Sequence, residues 1–132
     1  MFSDSFRAAW SPRGLSVLRI VVGLLFLQHG LSKYTGFPAP SPASFQVVGI
    51  LGVAGAIEII AGVLVAAGLF TRAAAFIASG EMAFAYFMVH FPKSFFPLVN
   101  GGDGAVLFCF VFLFLALEGG GPWSIDAMMR RR

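Results

Sequence analysis

Apolar residues in this chain gather into four long runs, separated by short polar or proline-containing segments. The runs cover residues 15–34, 47–70, 72–91 and 102–118. A helix needs about 20 mostly apolar residues to cross a bilayer, so the pattern predicts a four-helix membrane bundle. Thr71 and Arg72 leave a very short connection between the second and third runs. These two helices are therefore expected to be antiparallel neighbours.

The segment before the first run, residues 1–14, is short and polar. Trp10 and Pro12 suit a helix start at the membrane interface, so the first helix is expected to begin near residue 15. A cleaved signal peptide is the alternative, because two arginines precede the apolar run. The interruption of that run by Arg19 and His29 disfavours this alternative.

The segments between and after the runs predict loops and an orientation. Residues 35–46 contain three prolines, which exclude a regular helix, and residues 122–132 resemble an interfacial tail. Most basic residues fall on one predicted side, whereas Lys33 and Lys93 fall on the other. The residues of the more basic side are Arg7, Arg13, Arg72 and Arg130 to Arg132. That side is predicted to be cytoplasmic, with both termini inside.

Composition supports one membrane domain over residues 1–132. The chain is 58% hydrophobic and only 11% charged, far below the roughly 25% of soluble domains. The net charge of +3 comes from the ends and loops, so a nucleic-acid surface is not expected. The lipid bilayer is the predicted partner. The single cysteine, Cys109, allows no intrachain disulfide and is expected to be a buried, inert thiol.

Two acidic residues, Glu58 and Glu81, lie near the middles of the second and third runs. An ionisable residue at this depth is costly and normally faces the bundle interior or takes a partner. Glu58 shares a helical face with Gly55 and Gly62, where another backbone can approach closely. We therefore expect Glu58 to face the interior, at a depth similar to that of Glu81.

Two interpretations account for the cations of the first run. In the structural one, Arg19 and Lys33 offset the buried acids and hold the helices together, and this is favoured for Arg19. In the functional one, a quinone headgroup or anion binds near the outer end. Its donors would be Lys33, His29 and His90, and its proton relays Glu58 or Glu81.

Other sites are weaker candidates. His29 and His90 on two helices can ligate a haem, but no haem motif accompanies them. A metal site from these histidines and Asp103 lacks any metal-ligand spacing within one helix. Asn100 and Asp103 are more typical of helix caps, so one of them is predicted to cap the fourth helix. The chain contains no nucleophile and base pair, phosphate loop or dinucleotide motif.

Residues in all four runs resemble the DoxX family of small four-helix membrane proteins. The resemblance covers most of the chain and rests on Arg19, Gly23, Phe26, His29, Gly30, Lys33, Glu58, Gly62, Leu64, Gly68, Thr71, Arg72, Glu81, Met82, Ala85, Asn100 to Gly102, and the Gly-Pro-Trp-Ser-Ile-Asp stretch at 121–126. In the commonest form of the family, the turn that corresponds to residues 100–103 ends in Glu. Asp103 is therefore a conservative departure that keeps the carboxylate on a shorter side chain.

The resemblance implies a bacterial inner-membrane protein. Named members are linked to thiosulfate:quinone oxidoreduction and to membrane complexes that handle oxidants and sulfur. The leading hypothesis is an accessory or anchoring subunit of a membrane redox assembly, with no intrinsic cofactor and a quinone as the candidate ligand. The alternatives are a small proton-coupled transporter, working through Glu58 and Glu81 and expected to form a homo-oligomer, and a purely structural scaffold.

Overall fold

All regular structure in the described part of the chain is helical. The computed structural model describes residues 1–45 and 47–132; Gln46, the last residue of the predicted loop, lies outside them. The helices are α1 (Asp4–Thr35), α2 (Gly49–Ala67), α3 (Thr71–Ala85) with a π-helical continuation over Tyr86–His90, α4 (Pro97–Asn100), α5 (Asp103–Glu118) and α6 (Ile125–Arg130). The predicted all-helical class is confirmed.

Helices α1, α2, α3 and α5 pack side by side, each antiparallel to the next. Gly23 of α1 meets Ala66 of α2, whereas Gly30 meets Gly55, so residue numbers rise along one helix as they fall along the other. In the same way, α3 pairs with α5 where Ser79 donates to the carbonyl of Cys109. The two most extensive contacts are α1 with α2 and α3 with α5. Aromatic rings of α1 and α5 pack against each other, and this contact closes the bundle.

The core lies where these four helices meet. The ring of Phe26 on α1 packs edge-on against that of Phe112 on α5, with centroids 4.7 Å apart. Val65, Ala78 and Leu115 complete a fully buried apolar centre. Most other large apolar side chains point outward, which is the distribution expected for a bundle solvated by lipid.

Among the described residues, three helices are long and apolar enough to cross a membrane, namely α1, α2 and α3 with its π-helical continuation. Helix α5 has 16 residues, which at 1.5 Å per residue gives about 24 Å, less than the roughly 30 Å of a hydrocarbon core. The part of the chain that the structure describes therefore contains three candidate membrane spans, and α5 falls short of spanning length.

The start of α1 differs from the prediction. The helix begins at Asp4 and not near residue 15, because the hydroxyl of Ser3 accepts a hydrogen bond from the backbone N–H of Phe6 and caps it. Pro12 therefore lies within the helix and not at its first turn. The ends of α2 follow the expected chemistry more closely, since Gly68 terminates it with a left-handed φ of 73°.

The predicted cap of the fourth helix is wrong. The residue before α5 is Gly102, and no side chain accepts a hydrogen bond from the first turn of that helix. Asp103 is already the first helical residue, so its carboxylate lies beyond the capping position. Asn100 lies in α4, where its side chain organises the preceding turn.

Both described chain ends lie at one end of the bundle. The backbone N–H of Trp123 donates to the hydroxyl of Ser16, which ties the segment before α6 to α1. We call this the Arg19 end, because Arg19 lies there, and the opposite one the Lys33 end. The Lys33 end carries the C-terminus of α1, the start of α2 and the turn before α5.

Candidate functional site

Glycines bring α1 and α2 into backbone contact, and this contact positions the candidate site. A Cβ added to Gly23 would lie 2.5 Å from the backbone nitrogen of Ala66, and one added to Gly62 would lie 2.8 Å from the Cα of Leu27. Only glycine permits helices to approach so closely. The predicted small-residue face around Glu58 therefore does face a neighbouring backbone, as expected from its spacing.

Lys33 and Glu58 form an ion pair across this contact. The ammonium of Lys33 donates to both carboxylate oxygens of Glu58, at 2.5 Å each. The side chain of Glu58 is only 2% exposed and that of Lys33 17%, so the pair is buried with a narrow opening on the Lys33 side. The interpretation of Lys33 as a cation offsetting a buried acid agrees with this geometry.

Glu81 lies on α3 within electrostatic range of both members of this pair. One of its oxygens, Oε2, is buried and has no hydrogen-bond partner among the described residues. The electrostatic interaction of Glu81 with Glu58 agrees with the expectation that antiparallel packing brings the two acids near each other. The three residues Lys33, Glu58 and Glu81 are called the acid cluster below. It holds two carboxyl groups and one cation.

Among the described residues, neither histidine forms a hydrogen bond with the acid cluster. The Nδ1 atom of His29 lies 2.7 Å from the carbonyl of Leu25 in its own helix, and its ring packs edge-on against Phe108. His90 is 3.1 Å from the carbonyl of Asn100 and stacks against Tyr86. No described contact joins the histidines to each other or to the acids, so a single site of five residues does not follow from the geometry.

A second polar cluster, which sequence analysis missed, closes the Lys33 end. The amide of Asn100 donates to the hydroxyl of Tyr86 at 3.2 Å and to the carbonyl of Ser94 at 2.9 Å. Its oxygen accepts from the N–H of Gly102 at 2.7 Å. Gly102 is necessary here, because a Cβ would meet the Tyr86 ring at 2.7 Å. In the sequence, the spacing of Tyr86 and His90, one helical turn apart, indicates that these two side chains lie on the same helical face.

Arg19 does not offset the acids, and that prediction is wrong. The guanidinium is fully buried and donates to four backbone carbonyls: those of Val65, Ala66, Gly120 and Trp123, at 2.5–2.8 Å. Val65 and Ala66 belong to the last turn of α2, whose carbonyls have no partners within the helix. Arg19 is therefore a structural residue that joins α1, the end of α2 and the segment before α6.

Asp126 forms the other polar contact at the Arg19 end. Its two carboxylate oxygens accept hydrogen bonds from the backbone N–H groups of Phe70 and Thr71, each 2.9 Å long. Burial raises the pKa of Asp126, but hydrogen bonds from Thr71 and Phe70 and the charge of Arg130 outweigh it, so the pKa lies below its ordinary value. Asp126 is thus held as a carboxylate at the start of α3.

The acid cluster is the arrangement with the greatest chemical capacity. A buried carboxyl group without a partner can hold or release a proton, and the neighbouring ammonium can donate a hydrogen bond to a carbonyl oxygen. Among the described residues, no group of three His, Cys, Asp or Glu side chains lies close enough to hold a metal ion. Hydrogen bonding and proton exchange are therefore the chemistry that this arrangement offers.

Comparison with known proteins identifies relatives of the whole chain. The DoxX family model matches residues 14–91. An uncharacterized protein of Haemophilus influenzae is 43% identical over 122 residues, which cover 89% of this chain and 91% of that protein. An uncharacterized membrane protein of Mycobacterium tuberculosis is 26% identical over 94% of this chain and 86% of its own length.

A further relative carries a name that concerns activity. The Bacillus subtilis protein CatD, whose name proposes an oxidoreductase, is 41% identical over 66 residues. The match covers 45% of this chain and 46% of that protein. No solved structure matches the chain significantly.

Proposed function

Because the chain belongs to the DoxX family of membrane proteins, we propose that it is an integral subunit of a redox assembly in the bacterial inner membrane. The acid cluster is the proposed binding site for the headgroup of a quinone. The single observation that carries this proposal is the buried Lys33 and Glu58 pair beside a second carboxyl group, Glu81, that has an unpartnered oxygen.

The charges of the cluster favour a quinone over a small sulfur anion. Lys33 is already engaged by both oxygens of Glu58, and Glu81 adds a second acidic group beside them. An anion entering this site would meet a single cation whose charge is already offset by Glu58, so no net positive charge remains to bind it. A neutral headgroup with carbonyl oxygens needs no net charge and can accept a hydrogen bond from Lys33.

The roles of the residues follow from this occupant. Lys33 would orient a carbonyl of the headgroup, Glu58 would hold Lys33 in place, and Glu81 would supply or receive the proton that accompanies reduction or oxidation. The quinone supplies the electron chemistry when it is bound. Electrons would come from a partner subunit, and the name of CatD supports an oxidoreductase context.

The proposed topology is a multi-pass protein with four crossings and both termini in the cytoplasm. Both described chain ends lie at the Arg19 end, which also carries Arg72 and Arg130 to Arg132, and basic residues favour the cytoplasmic side. Helix α5 is shorter than α1, α2 and α3 with its π-helical continuation, and it would cross where the bilayer thins locally around it.

Quinone retention by the purified protein tests the proposal. The full chain is reconstituted in nanodiscs containing menaquinone or ubiquinone, repurified in detergent, and its bound quinone is quantified by chromatography. Wild type is expected to retain quinone, and Glu81→Gln to lose most of it. Glu118→Gln removes an exposed acid at the opposite end of the bundle and is the matched control. Equal retention by all three proteins would contradict the quinone site.

A proton-coupled transporter is the second candidate, and the unpartnered oxygen of Glu81 favours it. A carboxyl group that alternates between a proton and a substrate cation needs such a free oxygen. Proteoliposomes with an imposed pH gradient distinguish the two functions. Proton flux that Glu81→Gln abolishes, in vesicles free of quinone, would favour transport. The scaffold hypothesis predicts neither flux nor retention.

A further inference from the structure

A groove at the Arg19 end lies outside the acid cluster and has no role in the proposed function. It has a volume of about 530 Å³ and runs between the start of α3, the end of α5 and α6. Its lining includes Phe70, Thr71, Arg72, Asp126, Met129 and Arg130. We call it the Arg72 groove, and two of its six named residues are arginines.

We propose that the Arg72 groove binds a phosphate ester group. Arg72 donates hydrogen bonds to the carbonyls of Ala116, Leu117 and Glu118 at the end of α5, which fixes its guanidinium beside the groove. Among the described residues its Nε makes no hydrogen bond, so part of the donor fork stays available. A guanidinium held in this way presents a planar donor set to a phosphate.

The second arginine, Arg130, adds an exposed positive charge to the groove. Arg130 ends α6, is exposed, and makes no ion pair within 4.0 Å among the described residues. Asp126 also lines the groove, but its oxygens are occupied by the N–H groups of Phe70 and Thr71. The charged lining therefore amounts to two cations and one carboxylate that is already engaged, a balance that favours an anion.

The neutral lining agrees with a phosphate at a membrane boundary. The hydroxyl of Thr71 is fully buried and makes no hydrogen bond to any described residue. It lies close enough to Asp126 to stabilise the negative charge of that carboxylate. Phe70 and Met129 are both more than half exposed at the rim of the groove. They give it an apolar edge, which suits a phosphate ester that carries acyl chains.

Two sources share this chemistry, a phospholipid headgroup and a soluble phosphate, and the experiment has an arm for each. Full-length protein is placed in nanodiscs of phosphatidylcholine with or without phosphatidylglycerol, and retained lipid is counted by native mass spectrometry. In the second arm, the melting temperature is measured in phosphatidylcholine alone, with inorganic phosphate or with chloride at equal ionic strength.

The variant is Arg130→Gln, which removes an exposed side chain that makes no ion pair within 4.0 Å among the described residues. Because it also removes the effect of Arg130 on the charge of Asp126, the phosphate and chloride measurements are compared within each variant. Arg7→Gln is the matched control, since Arg7 is an exposed arginine on the same side and lines no part of the groove. We expect Arg130→Gln to retain phosphatidylglycerol about tenfold less than Arg7→Gln does, the size of one charge-assisted hydrogen bond. A phosphate-specific rise in melting temperature that Arg130→Gln removes would instead identify a soluble ligand. If the two variants behave alike in both arms, the site is overturned.

Discussion

The ammonium of Lys33 on α1 lies 2.5 Å from each carboxylate oxygen of Glu58 on α2, near the backbone contact of Gly30 with Gly55. Breaking one member of a buried pair leaves the other charge without compensation, which commonly costs about 3–5 kcal/mol. Lys33→Met is therefore expected to lower the free energy of unfolding by about 3 kcal/mol, because Lys33 retains some exposure. Unfolding in detergent by titration with dodecyl sulfate measures it.

The double variant Lys33→Met with Glu58→Gln is the control for this prediction. It removes both charges, so it is expected to be more stable than Lys33→Met alone. If instead the effects of the two single substitutions add in the double variant, the ion pair contributes no coupling. In that case the short distances between the Lys33 ammonium and the Glu58 carboxylate would not contribute to the free energy of unfolding.

Arg19 is expected to tolerate no conservative replacement. Its four backbone acceptors lie in two different segments, and a lysine ammonium has only three donors and no planar fork. Arg19→Lys should leave buried carbonyls unpaired and lower the free energy of unfolding by about 3 kcal/mol. Arg7→Lys, at an exposed position, is the matched control and should change the stability little.

Asp126 gives the protein a stability component that depends on pH. Its pKa lies below the ordinary value of about 3.9 because, in spite of burial, hydrogen bonds from Thr71 and Phe70 and the charge of Arg130 favour the carboxylate. A carboxyl group with a depressed folded-state pKa stabilises the fold above the unfolded pKa. That stabilisation is lost as pH falls through the folded value, so the loss is expected below about pH 4.

Melting curves of wild type and Asp126→Asn between neutral and acidic pH test this component. The amide keeps an acceptor oxygen but cannot ionise, so the variant should be less stable than wild type at neutral pH and should converge with it in acid. A constant difference between the two proteins across the whole range would show that the charge of Asp126 contributes nothing.

Much of the fold could be predicted from the sequence because membrane helices reveal themselves by run length. The inward face of Glu58 followed from residue type and spacing. The second run was predicted to extend to residue 70, but α2 ends at Ala67, because Gly68 adopts a left-handed conformation. The start of α1 could not be predicted in this way, because the hydrogen bond from the N–H of Phe6 to the hydroxyl of Ser3 determines it. The polar residues 1–14 had suggested a loop. Pro12 was no barrier within an exposed part of the helix.

The site was harder to predict, because spacing along one helix does not say which helices meet. Arg19 and Lys33 share one face of α1, so either was a plausible partner for a buried acid. The packing placed only Lys33 opposite Glu58, while the carbonyls at the end of α2 engaged Arg19. The positions of backbone carbonyls cannot be predicted from the pattern of side chains. The cluster around Asn100 and Tyr86 was missed for the same reason, because it also depends on backbone groups.

Close contact between α1 and α2 predicts which glycines are essential. A Cβ on Gly30 would lie 2.7 Å from the carbonyl oxygen of Gly55, so Gly30→Ala must push the helices apart. Overpacking of this kind typically costs about 1–3 kcal/mol. Gly80→Ala is the control, because nothing lies within 4 Å of the added atom and alanine favours the helix by up to about 1 kcal/mol. Equal melting temperatures for the two variants would contradict the backbone contact.

The two acids of the cluster should differ in reactivity towards a hydrophobic carbodiimide, which modifies protonated carboxyl groups inside membranes. Glu58 is engaged by the ammonium of Lys33 and is expected to be unreactive, whereas Glu81 has a buried oxygen without a partner among the described residues and is expected to carry a proton. Peptide mapping by mass spectrometry should therefore find the label on Glu81 in wild type. In Lys33→Met the label should appear on Glu58 as well, because that carboxyl group then lacks its cation. Labelling confined to Glu58 in wild type would reverse the assignment of the proton and with it the proposed roles of the two acids.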